Sequence, residues 1–168
     1  MSVIWQGWLN YRGRMRARQA TRWPSFRTRD KRRRLAGGLA LICAVGLGAA
    51  FWSPQHAFAM GLWGGSIFSW LFVYWVLRET TSSTAESPAQ LLDEWELGLR
   101  NRAGYYGYQA FIWLSASYLI FLAANMHDPD IVGKAMSVYS FIVLTVTALP
   151  SIVVGWQLPD DEIEGEPS

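Results

Sequence analysis

The chain has 168 residues, of which 51% are hydrophobic and ten are tryptophan, with a formal net charge of +2. Its apolar residues fall in long uncharged blocks instead of recurring at helix or strand period, which excludes a water-soluble domain and predicts an integral membrane protein. A single cysteine, Cys43, excludes an intrachain disulfide.

Residues 1–34 form a basic arm holding eleven of the fifteen Lys and Arg residues. Ile4, Trp8, Tyr11 and Met15 share one helical face and Gln6, Asn10, Arg14 and Arg18 the other. That pattern suits a short helix lying in the membrane interface, although Gly7 and Gly13 count against it. Trp23-Pro24 breaks the segment. Lys31, Arg32, Arg33 and Arg34 abut the first apolar block. There they are expected to fix topology and to touch anionic headgroups, at roughly 1 kcal/mol per basic residue near the surface. The competing use of the cluster is docking an acidic partner; nucleic acid is disfavoured because no nucleic-acid-binding fold accompanies the charge.

Two uncharged blocks, residues 35–53 and 57–77, then predict a transmembrane hairpin over 35–77. A basic region, an apolar core and Ala57-Phe58-Ala59 also describe a secretory signal, in which case the mature chain begins at Met60. Small residues recur every four positions in both blocks: Ala40, Ala44 and Gly48 in the first, Gly61, Gly65 and Ser69 in the second. Such rows let helix backbones approach closely in lipid, so either the two helices pack on them or one row faces a partner.

The middle segment, residues 78–102, is charged and predicts a cytoplasmic amphipathic helix. Ser87 reads as its N-cap, with Pro88 at the first position and Gln90 reaching back. Leu92, Trp95, Leu99 and Tyr106 fall on one side; Asp93, Glu94, Glu96, Arg100 and Asn101 fall on the other. Glu96 and Arg100 stand one turn apart with the acid first, and Arg102 follows. Gly98, Gly104 and Gly107 predict a bend near 104–107.

The second hairpin, residues 103–159, comprises apolar blocks at 103–126 and 135–159. Its serines and threonines are expected to bond their own backbone or a neighbour, and Pro150 to kink the fourth span. Between these blocks His127, Asp128 and Asp130, with His56 from the first loop, offer ligand chemistry for a divalent metal, while Asp128-Pro129 reads equally as a turn. The tail, residues 160–168, is acidic and predicted to be disordered. It lies on the same side as the basic arm, to which it is weakly attracted.

The fold class predicted is therefore all-α, with four transmembrane helices, an amphipathic helix between spans two and three, a flexible basic arm and an acidic tail. Fourteen of the fifteen basic residues lie on one side, which the positive-inside rule places in the cytoplasm with both termini, in a bacterial inner membrane. No predicted span carries an Asp, Glu, Lys, Arg or His near its middle, which disfavours ion pathways, proton relays and intramembrane proteolysis. No phosphate-binding glycine loop, Cys-x-x-Cys or His-Glu-x-x-His is present, so no catalytic residue or cofactor is assigned.

Asp93-Glu94-Trp95-Glu96, followed by Arg100, Arg102 and Ala103 ahead of a span, resembles a segment of small uncharacterised bacterial multi-pass membrane proteins. That family carries Asp-Glu-x-Glu and then Arg-x-x-Ala or Arg-Ala before a helix; the resemblance implies no activity, only that this cytoplasmic segment matters. The expected function is a non-enzymatic accessory or scaffold subunit of a larger membrane complex. Its contacts are Lys31 to Arg34, Trp95, Glu96, Arg100, Arg102 and the small-residue rows. A small oligomeric transporter or channel, and a membrane enzyme or metal-binding protein using the His127 cluster, are the alternatives.

Overall fold

The computed structural model describes residues 28–52, 56–81 and 84–159, with positions 6, 10, 11, 13 and 14 of the arm. Four long helices make up most of them: α1, Arg29–Trp52; α2, Ala57–Thr80; α3, Glu94–Ala124; and α4, Ile131–Gln157. All four are long and apolar enough to cross a membrane. The interfacial helix expected around Ile4 to Arg18 and the acidic tail fall largely or wholly outside the described residues.

The chain runs up and down, so α1 begins, α2 ends, α3 begins and α4 ends at one end of the bundle, here called the arm end. Helix α1 packs on α2 and α4, and α4 packs on α3; α2 meets α4 more lightly. Ala36, Leu39 and Cys43 of α1 gather with Trp70 and Leu77 of α2 and Ala148 of α4 in the main core cluster. A second cluster, Ala50, Val138 and Ile142, lies towards the other end. A third, Leu99, Ala103 and Val154, joins α3 to α4.

Two glycines let these helices approach. A Cβ on Gly46 would lie 2.0 Å from Cε1 of Phe141, and one on Gly155 would lie 2.8 Å from Cδ1 of Leu77. By contrast, a Cβ on Gly48, Gly61 or Gly65 meets nothing within 4 Å. The small-residue rows are thus not the α1–α2 contact. Ala40, Ala44, Gly61, Gly65 and Ser69 are exposed, and Gly48 is partly so.

The middle segment departs from expectation. Ser87 does not start a helix: Pro88 leads only into a single 3-10 turn at Ala89–Leu91, which Leu92 ends in an extended conformation. The cap is Asp93, whose Oδ1 accepts from the Glu96 backbone N–H at 2.6 Å while Glu96 reaches back to the Asp93 N–H. This capping box outcompetes the Ser-Pro signal because it satisfies two otherwise orphaned donors and sets two acids in the first turn, where the helix dipole favours them. From there α3 continues unbroken for 31 residues, through Gly98, Gly104 and Gly107. Its length of about 46 Å exceeds a hydrocarbon core of roughly 30 Å by about ten residues. The predicted amphipathic helix and the third span are therefore one rod. Gly107 is buried beside Pro150, where an added Cβ would lie 3.4 Å from Cγ, an ordinary contact.

Helix α4 likewise stays helical through Pro150. Three of its hydroxyls behave as expected: Ser137, Ser140 and Thr147 donate to the carbonyls of Gly133, Met136 and Val143, four residues back.

Candidate interaction surfaces

Three surfaces contain nearly all of the residues singled out by the sequence. The first is the arm end. Arg32 is fully buried and donates through Nη2 to the Leu158 carbonyl at 2.8 Å and to the Pro159 carbonyl. Arg33 donates to the Trp156 carbonyl at 3.2 Å, its guanidinium 5.4 Å from the centre of that indole ring. Two arginines at the start of α1 therefore satisfy the carbonyls at the end of α4, which carry its negative dipole end. Lys31 and Arg34 point outward. The basic cluster expected to meet lipid or a partner is thus divided, and Arg32 in particular is turned inward.

The turn between α2 and α3 completes this end. Thr80 and Thr81 donate to the Leu77 carbonyl, and Thr84 to that of Thr81, so buried hydroxyls find partners in their own loop. Arg100 Nη1 donates to the Ser87 carbonyl at 2.7 Å and ties the loop to α3. Trp95 is 45% exposed, and Arg102 lies on the surface with Nε 3.4 Å from the Gly98 carbonyl. Of the residues expected to meet a partner here, Trp95 and Arg102 face outward, and Glu96 and Arg100 hold the local structure.

The second surface is an apolar groove between α1 and α2. Two adjoining cavities of about 560 and 650 Å³ share Val45, Phe58 and Leu62. Gly61, Gly65 and Ser69 line the part nearer the arm end; Gly48, Trp52 and His56 line the other. Ala57-Phe58-Ala59 sits in the first turn of α2, with Ala59 buried. The third surface is α3, of whose span only 6% is buried, against 39% for α4. Tyr108, Phe111, Trp113, Leu119 and Ile120 all point away from the bundle.

The loop between α3 and α4 forms a closed turn. Asp128 Oδ2 pairs with Lys134 Nζ at 2.5 Å, and its Oδ1 accepts from the Asp130 backbone N–H at 2.9 Å. The Lys134 ammonium, then the Asp130 amide, hold the Asp128 carboxyl below the usual aspartate range. His127 is exposed, and His56 belongs to the groove. Among the described residues no three His, Cys, Asp or Glu side chains gather as a metal site. Asp128-Pro129 acts as the turn.

Sequence reasoning missed Gly46 and Gly155, although each has one small residue at four-residue spacing, Ala50 and Ser151, because neither belongs to a row of three. It also missed the inward turn of Arg32, for which a signal existed: Arg32, Ala36, Leu39, Cys43 and Gly46 continue one stripe at intervals of three and four. Compared with known protein families, curated proteins and solved structures, the chain matches none.

Proposed function

We propose that this chain is a non-enzymatic accessory or scaffold subunit that receives a helix of a larger membrane complex in the groove between α1 and α2. The observation that carries the proposal is the position of the small residues. Gly61, Gly65 and Ser69 line an open apolar groove and do not serve the contact between their own helices. In lipid the hydrophobic effect gives no drive between helices, so association depends on close packing, which small residues permit. The exposed aromatic face of α3 provides a second intramembrane contact. Lys31, Arg34, Trp95 and Arg102 supply contacts at the arm end, which is the cytoplasmic side of a bacterial inner membrane by the distribution of basic residues. The segment Asp93 to Ala103, which resembles that of small multi-pass bacterial membrane proteins, forms the foot of α3 on that side.

The test is a pair of groove-filling substitutions, Gly61→Leu and Gly65→Leu, in a tagged chain purified in mild detergent. The unsubstituted chain is expected to bring down a membrane complex in fixed stoichiometry, and the double variant to fold and lose it. Co-purification unchanged by the filled groove, or a chain that purifies alone or only with copies of itself, would contradict the proposal.

A further inference from the structure

We infer that the helix received by the groove carries a neutral carboxamide, an asparagine or glutamine, at mid-bilayer, held there by the hydroxyls of Ser66 and Ser69. This rests on the groove being a helix seat and adds what that seat selects. In α4, Ser137, Ser140 and Thr147 each donate to the carbonyl four residues back, and at the end of α2 Thr80 and Thr81 donate to that of Leu77. Ser66 and Ser69 differ. Neither has a hydrogen-bond partner among the described residues, although Ser66 is only 8% exposed and both line the groove. A hydroxyl withdrawn from water without a partner is unfavourable, so these two are the groups that an occupant of the groove would satisfy.

Their place sets the chemistry. Helix α2 starts at Ala57, so Ser66 stands about 14 Å along it, near the middle of a hydrocarbon core of roughly 30 Å. Ser66 and Ser69 are three residues apart, which on a helix brings their Cβ atoms to about 5–6 Å, a gap that one carboxamide bridges. Each hydroxyl has one donor and two acceptor sites, and a carboxamide has two donors and an acceptor oxygen, so a single side chain serves both. The cavity around them is otherwise lined by Leu41, Ile42, Val45 and similar apolar or glycine positions, with no charged side chain. An ionised group would find no counter-charge there, and an acyl chain would leave both hydroxyls unpaired. Gly65 and Gly61, one and two turns before Ser69 on the same row, leave open space in which the partner backbone comes within reach of a side chain as short as asparagine.

The probes are two synthetic leucine-based helices of about 20 residues, with lysine ends and one Gly-x-x-x-Gly row. They differ at a single central position, asparagine in one and leucine in the other. Each carries a dansyl group and is added to the full-length protein in phosphatidylcholine vesicles, at a peptide-to-lipid ratio where neither peptide associates with itself. Energy transfer from the ten tryptophans of the protein reads binding. The parent chain is expected to bind the asparagine helix severalfold more tightly than the leucine helix. The Ser66→Ala, Ser69→Ala double variant, which fills no space, should bind both at the level of the leucine helix. Equal binding of the two helices by the parent, or a preference that survives in the serine variant, would overturn the inference and leave the groove intact as a helix seat. Binding of the leucine helix that persists in the Gly61→Leu, Gly65→Leu variant, or no binding of either helix by the parent, would instead contradict the groove reading itself, and the inference with it.

Discussion

Arg32 occupies a place that the rest of α1 reserves for apolar side chains. Four and seven residues on, the same stripe carries Ala36 and Leu39, both fully buried. Its hydrogen bonds to the end of α4 are what make burial tolerable, since a buried guanidinium without partners is strongly unfavourable. Arg32→Met is therefore expected to destabilise the protein by about 1–3 kcal/mol, the usual penalty for stranding buried polar groups. Arg34→Met should change it by no more than about 0.5 kcal/mol. Thermal unfolding of both variants in the same detergent separates them, and equal losses would refute the division of the cluster. Charge alone could not reveal this division, because four adjacent cations look alike until helical register is taken into account.

Asp128 gives a pH-dependent counterpart at the same scale. Its folded carboxyl is held below the ordinary aspartate value of about 3.9, so its contribution is fully present above that value and is lost as pH falls through the lowered one. The thermal midpoints of the protein and of Asp128→Asn should differ by a constant amount at neutral pH and converge on acidification. A difference that grew towards low pH would contradict the ion pair with Lys134.

Among the elements, the helices were legible as apolar blocks because each contains a stretch with little or no charge, long enough to cross a hydrocarbon core. Their ends were less so. Helix α1 begins at Arg29, six residues before the expected Leu35, because the basic residues continue the helix to reach α4. Helix α3 begins at the Asp93 box and not at Ser87. Asp93→Ala should cost about 0.5–2 kcal/mol, as loss of an N-cap usually does, and Ser87→Ala should leave the start of the helix where it is. Amide hydrogen exchange over residues 94–97 would check both; faster exchange in Ser87→Ala alone would favour the start at Ser87.

The glycines make the same point about packing. Spacing identified rows of small residues, but only the partner surface decides which glycine is needed. Gly46→Ala forces a methyl into the Phe141 ring and is expected to destabilise by about 1–3 kcal/mol. Gly61→Ala enters open space and should be neutral, or stabilising by up to about 1 kcal/mol through helix propensity. Thermal unfolding in detergent ranks the two, and the reverse ranking would mean that the α1–α2 contact runs along the Gly61 row.

For the whole molecule, the arrangement is a bundle closed at the arm end and open along its sides. At the arm end, arginine clamps and a loop of self-bonded threonines seal the helix termini. Along its sides, the groove between α1 and α2 and most of α3 are left uncovered. The sequence showed the rows of small residues but not which way they face, since outward rows and inward rows have the same spacing. The openness of the groove is what connects this fold to association with other membrane proteins.

The deciding measurement is the stoichiometry of what co-purifies in mild detergent with the C-terminally tagged chain and with its Gly61→Leu, Gly65→Leu double variant. Intact mass and thermal unfolding would be recorded on the same samples. The prediction is a membrane complex in fixed ratio with the parent chain, lost from a variant that melts within a few degrees of it. A lone chain, a homo-oligomer, or a partner retained despite the filled groove would contradict the subunit role proposed for this protein.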